Sequence, residues 1–276
     1  MKIKIFSIYG IIMAFCCLSV YAQSMDSQQL SPINNTDSVS SQKYHSLFDT
    51  GHVFPLFIMC HDPNHIQNNY FDPQLPAFWV GGMTLREGFL GHQAEGVPTK
   101  EGFLRQSEFG YTLLQLSKGL FSDSFGATSA FQVGMGIIGL DKDYEMKREE
   151  GNVGFVAVQE TFSSSAMNYV FLRIPVLFGI QNRKHWLSLL SGPSLDFCVP
   201  GRDNYYYEYQ NEEKEHHRRF HANLFSINWQ VMAGIGPVTV SYSHSLVPLF
   251  KLTDGTSVYP SSLSIGLDLW YLLRRN

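Results

Sequence analysis

Strict alternation of large apolar residues with small or polar residues restricts the fold of this chain more than any other feature. In NLFSINWQVMAG, residues 223–234, the large apolar side chains fall at every second position, and Ser, Asn, Gln, Met and Gly fall between them. A period of two residues is typical of a β-strand with two different faces. The same period recurs in FGATSAFQVGMGI, VTVSYSHSL and LSIGLDLWYL. The sequence therefore predicts an all-β protein.

The polar faces of these strands carry Ser, Thr, Gly, Asn and Gln, and charged residues are rare on them. A soluble sandwich would expose many Lys and Glu side chains on its solvent face. Small polar residues suit the packed interior of a narrow membrane barrel, and large apolar residues suit contact with lipid. Charge is concentrated instead between the strands, in DKDYEMKREEGN and GRDNYYYEYQNEEKEHHRR. We expect strands that face lipid on one side and a lumen on the other.

The segment YVFLRIPVLFGI places Arg173 and Pro175 within an apolar strand. Alternation assigns Arg173 to the lumen, where a carboxylate has to pair with it because an unpaired buried charge is costly. Glu108 and Asp268 are the candidate partners, and the sequence does not choose between them. Pro175 has no backbone N–H to donate, which predicts a local bulge or kink.

Eight strands are predicted, and their connections alternate between short and long. They cover about residues 78–90, 105–118, 125–140, 168–181, 186–198, 222–235, 237–247 and 262–273. Outer-membrane barrels have short periplasmic turns and longer extracellular loops. Residues 76–276 are therefore predicted to form an eight-stranded antiparallel up-and-down transmembrane β-barrel. Apolar positions change face at Leu113 and Leu114, which predicts a bulge in the second strand.

The N-terminus is predicted to carry a targeting signal. Lys2 and Lys4 precede a short apolar run and then VYAQS, a pattern typical of a secretory signal peptide over residues 1–22. An N-terminal membrane anchor is the alternative, although the run is short for a spanning helix. Residues 23–75 are rich in Ser, Gln and Asn and are expected to form a flexible periplasmic segment. The predicted location is the cell outer membrane.

Three motifs in a fixed order give the chain a family resemblance. They are the aromatic-x-x-Leu-Arg-Ile-Pro strand, the Gly-Pro of LSLLSGPSLDF, and the Gly-rich hairpin MAGIGPVTVSYSHSL before LSIGLDLWYLL. Together they resemble the PorT-like outer-membrane β-barrel family common in Bacteroidetes, over residues 76 to 273. The resemblance implies an eight-stranded barrel in a Gram-negative outer membrane, usually without an assigned activity. The chain departs from the common terminal Phe, because Leu-Leu-Arg-Arg-Asn follows Tyr271.

Signatures of enzymes, metal sites and nucleic-acid binding are weak or absent. The sequence contains no phosphate loop, dinucleotide fingerprint or Ser-His-Asp signature. The net charge of −4 argues against nucleic acid as a partner. Imidazoles suit zinc or copper, and two groups of histidines are candidate ligands, namely His61 with His65, and His216, His217 and His221. A charged, solvated loop explains such histidines without a ligand, so we expect no metal and no cofactor. Cys60 and Cys198 remain after signal cleavage and are either free thiols or one disulfide.

The leading functional prediction is a non-enzymatic scaffold that presents extracellular loops for binding or assembly with other envelope components. The loops near residues 141–168 and 200–221 are the predicted working surface. Tyr205, Tyr206 and Tyr207 are the candidate binding residues, because exposed aromatics among charges can bind protein or glycan. Expected partners are outer-membrane lipids, the barrel-insertion machinery and an envelope protein or glycan. An interior of eight strands is filled by side chains, so no pore is expected.

Two other functions stay open at this stage. One is a lipid-modifying barrel enzyme centred on His244, which alternation places on the lipid-facing side near the extracellular rim. Ser243 and Ser245 point inward, and no acidic residue is evident to orient the imidazole, so an interfacial histidine is the competing interpretation. The other is a secreted soluble β protein, which would need no detergent.

Overall fold

The computed structural model describes residues 50–53, 71–88, 91–99, 106–149, 151–159, 161–209, 215–220, 222–269 and 271. The chain divides into two compact units, and all of these residues belong to the second unit, Ser46–Asn276. The predicted signal peptide and most of residues 23–75 lie outside the described residues. Cys60 and the histidines at positions 61, 65 and 221 also lie outside them.

The described residues form fourteen β-strands. The strands are β1 (Thr50–Val53), β2 (Phe78–Glu87), β3 (Gln106–Ser122), β4 (Phe125–Gly139), β5 (Tyr144–Glu149), β6 (Asn152–Ala157), β7 (Phe162–Gln181), β8 (Leu187–Cys198), β9 (Asn204–Tyr209), β10 (Glu215–Arg218), β11 (Phe225–Ile235), β12 (Val238–Ser245), β13 (Phe250–Lys251) and β14 (Ser257–Leu267). No helix in this part of the chain is long and apolar enough to cross a membrane.

Eight strands pair into a closed antiparallel ring in the order β2, β3, β4, β7, β8, β11, β12 and β14. The ring closes because β14 also pairs with β2, from Val258 opposite Glu87 to Leu267 opposite Phe78. The all-β prediction is confirmed, and each of the eight predicted strands corresponds to one strand of this ring.

The connections divide the ring into two different ends. At the short-turn end, β3 joins β4 through Asp123 and Ser124, and β11 joins β12 through Gly236 and Pro237. Gly236 has a positive φ of 58°, which glycine adopts without steric cost. At the opposite, long-connection end, the chain forms the β5–β6 hairpin, the β9–β10 hairpin and β13. The predicted alternation of short and long connections is therefore present.

Two local irregularities were predicted, and their outcomes differ. The register of β3 against β4 shifts between Thr112 and Leu114, which confirms the expected bulge. The pairing of β7 with β4 is interrupted at Ile174 and Pro175 but resumes in the same register. Of the bulge or kink predicted at Pro175, the bulge is wrong, because the proline removes ladder contacts without inserting an extra residue. The kink stays a prediction.

The last strand ends earlier than predicted, at Leu267 instead of about residue 273. The N–H of Asp268 still donates to the carbonyl of Pro237 at 2.7 Å, and its Oδ1 then accepts the N–H of Tyr271 at 3.2 Å. A side-chain acceptor of this kind satisfies the first N–H groups of a helical turn. The aspartate therefore ends the strand, which alternation alone could not show.

The two faces of the ring differ as the alternation predicted. Large apolar side chains are exposed on the outer face of seven of the eight strands, and those of β4 are partly exposed. On β7 the exposed residues include Ile174, Val176, Phe178 and Ile180. The inward residues of the same ring include many buried Ser, Thr, Asn and Gln side chains. The polar face of the ring is thus its interior.

Candidate functional site

Arg173 lies at the centre of a buried ion-pair cluster inside the ring. Its guanidinium donates to Glu108 through Nη1 at 2.8 Å and Nη2 at 3.3 Å. It also donates to Asp196 through Nε at 2.9 Å and Nη2 at 2.8 Å. Only 5% of Arg173 is exposed. Four charge-assisted hydrogen bonds to two carboxylates hold this side chain in one geometry.

The structure brings Arg173 and Glu108 together, as one of the two predicted pairings required. It adds Asp196, which the sequence analysis missed, although Asp196 lies directly opposite Arg173 in the β7–β8 ladder. Counting back from the turn between these strands could have found it, because opposite residues in a hairpin share a face. Trp79 completes the cluster by donating its indole N–H to Glu108 at 3.3 Å.

Asp268, the other predicted partner of Arg173, lies elsewhere. It follows the final residue of β14 at the short-turn end, where its carboxylate accepts the N–H of Tyr271. Arg173 instead pairs with Asp196, which lies inside the ring opposite Ser226 of β11. The local capping role of Asp268 explains why an acidic residue occurs there without reaching the arginine.

A small cavity of about 30 Å³ lies beside the ion-pair cluster. Its lining includes Tyr169, Phe171, Asn228 and Ser262 as well as the charged groups. The Arg173 guanidinium lies over the Phe171 ring, 4.6 Å from its centroid. A space of this size holds about one or two water molecules and no larger ligand. The middle of the ring is therefore filled.

A second element fills the ring at the short-turn end. Residues 71–77, here called the strap, cross the interior before β2 begins, and Phe71 and Leu75 are buried there. They pack with the inward residues of four ring strands, namely Ala130 of β4, Leu177 of β7, Leu190 of β8 and Met232 of β11. The strap thus fills the interior between the ion-pair cluster and the short-turn end.

Hydrogen bonds hold the strap along its length. The N–H of Asp72 donates to Gln181 Oε1 at 2.9 Å, and Gln115 Nε2 donates to the carbonyl of Pro73 at 3.1 Å. Thr112 Oγ1 donates to the carbonyl of Pro76 at 2.6 Å. These bonds satisfy backbone groups that would otherwise be buried without partners.

Glycines of the ring make room for the strap. A Cβ added at Gly234 would lie 2.8 Å from Gln74 Cβ, and one added at Gly126 would lie 2.5 Å from Phe71 Cδ1. Gly266 faces Pro76 in the same way. Because real Cβ contacts are essentially never that short, any larger residue at these positions would force the strap or its neighbours to shift.

The strap corrects the predicted boundary between a flexible segment and the barrel. Residues 71–75 were assigned to the flexible segment 23–75, yet they are buried and hydrogen-bonded inside the ring. Further upstream, β1 pairs with β3 from Thr50 opposite Ser117 to Val53 opposite Leu114. It occupies the part of β3 beyond the last residue paired with β2, Tyr111.

An aromatic core fills the long-connection end. Tyr205 and Tyr207 were predicted to be exposed binding residues, and this prediction is wrong for both. Tyr205 has no exposed surface, and Tyr207 is also buried, with its ring 4.9 Å from that of Phe162. The connection forms β9, which pairs with the extended start of β7 and turns alternate side chains inward. Burial raises the pKa of the Tyr205 phenol.

Tyr206 points to the opposite face of β9 and is partly exposed. The surface around this hairpin is charged. Arg218 of β10 pairs with Glu145 of β5 at 2.7 Å and lies over the Tyr207 ring at 5.5 Å. The two hairpins are therefore tied together above the aromatic core, and we call this part of the molecule the cap (β5, β6, β9, β10 and β13).

His244 pairs with Trp229 across β11 and β12 and so belongs to the outer face, as predicted. It is buried, however, and its Nδ1 lies 2.6 Å from Ser261 Oγ. Ser261 is opposite His244 in the β12–β14 ladder, a contact that sequence analysis missed. Ser243 and Ser245 lie on the inward face, as expected.

Cys198 is a buried free thiol. Among the residues described, no three His, Cys, Asp or Glu side chains are grouped so that they could hold a metal ion. Searches of family models, curated proteins and solved structures find no match to the chain.

Proposed function

We propose that this protein is a non-enzymatic outer-membrane β-barrel that serves as a scaffold for the cap. One observation carries the proposal. A closed ring of eight strands exposes large apolar side chains outward and buries polar side chains inward, the reverse of a soluble protein. Closure lets the backbone N–H and C=O groups on both edges of every ring strand form hydrogen bonds, which a sheet surrounded by lipid requires. The PorT-like resemblance supports the same proposal.

The filled interior supports a scaffold in preference to a channel. The strap, the Arg173 cluster and the aromatic core of the cap occupy three successive levels of the ring. An interior of eight strands is only wide enough for side chains, and these levels use that space. The working surface is then the outside of the barrel and the cap, which faces the cell exterior in this proposal because long connections are extracellular.

Fractionation and gel mobility test the membrane location. A folded outer-membrane barrel needs detergent for extraction and migrates differently on SDS gels before and after heating. We expect both properties. A chain that stays soluble without detergent and shows no mobility shift would exclude the barrel and favour a secreted β protein.

Cysteine labelling tests the orientation. In a Cys60→Ser background, Lys147→Cys places a thiol on exposed β5, and Arg183→Cys places one on the exposed turn between β7 and β8. A membrane-impermeant maleimide is expected to label the first on intact cells and the second only after the outer membrane is permeabilised. The reverse pattern would place the cap in the periplasm and contradict the proposed scaffold.

A second function, a lipid-modifying enzyme, rests on the 2.6 Å contact between His244 and Ser261 on the outer face. A histidine that takes a proton from a serine could activate it to attack an ester. Mass spectrometry of the membrane lipids distinguishes the two functions. If the enzyme exists, His244→Ala and Ser261→Ala both change the lipids and the inward Ser243→Ala does not. Unchanged lipids in all three variants would exclude the enzyme and retain the scaffold proposal.

A further inference from the structure

Two basic side chains share one face of the sheet at the long-connection end, one on a ring strand and one on β13 of the cap. Arg86 of β2 lies directly opposite Tyr259 of β14, and Lys251 of β13 lies directly opposite Ser257 of β14. Residues opposite each other in a ladder share a face, and Ser257 and Tyr259 are two residues apart. Strand spacing puts the Cα atoms of Arg86 and Lys251 about 12 Å apart, with Tyr259 between them. Two long side chains can converge on one group across that distance.

Neither cation is paired with a carboxylate among the described residues. Arg86 Nη1 donates to the carbonyl of Gly91 at 3.0 Å, and Lys251 is exposed. The acidic residues that follow them closely in sequence accept hydrogen bonds from backbone groups. Glu87 accepts the N–H of Gly96 at 3.5 Å, and Asp254 accepts the N–H of Thr256 at 2.8 Å. Both cations are therefore open to an anion from outside the described residues.

The patch borders the apolar surface of the same strands. Toward the short-turn end, β14 continues with Ser261 and then with exposed Leu263 and Ile265, while β2 continues with exposed Thr84 and Val80. The chemistry of the outer face thus changes from basic to small polar to apolar along a few residues. This order matches the order of headgroup, interface and acyl chain in a bilayer.

We propose that Arg86 and Lys251, with Tyr259 between them, bind the phosphate of an anionic lipid headgroup while the acyl chains lie along Leu263 and Ile265. This inference rests on the proposed membrane barrel. Guanidinium and ammonium groups are the usual partners of phosphate, and continuity with the apolar face selects a lipid in preference to a soluble anion. Basic side chains at an anionic surface strengthen binding by about five-fold each, or about 25-fold for the pair.

The test uses the full chain purified in detergent and native mass spectrometry. The protein is titrated with anionic phosphatidylglycerol, with zwitterionic phosphatidylcholine, and with phosphatidylglycerol in the presence of inorganic phosphate. We expect preferential retention of phosphatidylglycerol, a loss of about 25-fold in Arg86→Gln/Lys251→Gln, and no loss in Lys147→Gln/Arg148→Gln. The control removes the same charge from exposed positions of β5, away from the β2–β14–β13 ladder.

Three results would overturn the inference: equal retention of the two lipids by the unaltered protein, unchanged binding in Arg86→Gln/Lys251→Gln, or displacement of lipid by an equal concentration of inorganic phosphate. The charge-preserving exchange Arg86→Lys/Lys251→Arg separates loss of charge from loss of fold, because it is expected to retain lipid binding. Heat-dependent gel mobility is measured on every variant. A normal shift without lipid preference overturns only the headgroup site, whereas absence of the shift in the unaltered protein overturns the barrel itself.

Discussion

Replacing Arg173 with Met is expected to lower the free energy of unfolding by about 3–5 kcal/mol. Met fills a similar length of the interior without charge, so the change removes four hydrogen bonds and leaves Glu108 and Asp196 facing each other. These carboxylates are only 5% and 10% exposed. Their burial is what makes the substitution costly, because bulk water cannot reach the carboxylates to replace the lost cation.

The remaining partners of the carboxylates are too weak to restore the loss. Glu108 would keep one neutral donor, the Trp79 indole at 3.3 Å. A hydrogen bond from a neutral group contributes about 1 kcal/mol net, less than the cost of one uncompensated buried charge. We therefore expect a value within the 3–5 kcal/mol range measured for broken buried pairs, and not the ~0–1 kcal/mol of a surface pair.

Denaturant unfolding in lipid vesicles, followed by tryptophan fluorescence, measures this effect. Arg183→Met on the exposed turn is the matched control and is expected to change stability by less than about 0.5 kcal/mol. The triple variant Arg173→Met/Glu108→Gln/Asp196→Asn removes all three charges and is expected to recover most of the loss. Stability of Arg173→Met within 1 kcal/mol of the unaltered protein, or a triple variant weaker than the single one, would refute the ion-pair explanation.

Three further predictions concern the strap, the lumen and the cap. Gly234→Val is expected to cost about 1–3 kcal/mol by overpacking against Gln74, and Gln74→Gly in the same chain is expected to recover part of it; additive losses in denaturant unfolding would contradict this contact. In planar bilayers neither the unaltered protein nor Phe71→Ala is expected to show stepwise conductance, because the Arg173 ion-pair cluster still fills the interior. Open-channel steps in either protein would show that ions can pass through the ring. Tyr205→Ala is expected to lower the free energy of unfolding by about 3–5 kcal/mol, because it truncates a buried aromatic side chain, and Tyr206→Ala is expected to lower it clearly less. Equal losses of stability in thermal unfolding would contradict this prediction.

The strands of the ring could be predicted because the pattern that specifies them lies within each short segment of sequence. A period of two assigns every residue of a strand to one of two faces, and this pattern needs no knowledge of distant contacts. The bulge in β3 was visible for the same reason, since apolar positions changed face at Leu113 and Leu114. The lumenal position of Arg173 followed from parity as well, but its partner Asp196 needed the register of the β7–β8 hairpin.

The strap and the cap were not predictable from periodicity. The strap is a short segment with prolines at positions 73 and 76, and its backbone groups bond to side chains of Thr112, Gln115 and Gln181 far along the chain. The tyrosines of β9 lie in a charged connection that looks like a loop. Tyr205 and Tyr207 are buried because β7 begins at Phe162, six residues before the predicted strand, and offers β9 an edge to pair with. Long-range pairing of this kind leaves little trace in composition.

The filled interior separates stability from function in a way that variants can expose. Substitutions at Arg173, Gly234 or Phe71 alter groups that no external molecule can reach, so they are expected to change unfolding without changing lipid preference. Substitutions at Arg86 and Lys251 alter exposed or partly exposed charges that have no carboxylate partner within the described residues. They are expected to do the opposite. If lumenal variants with intact folds altered lipid preference, the interior and the outer face would have to be coupled through the strands of the ring. The scaffold proposal would then have to include a conformational change.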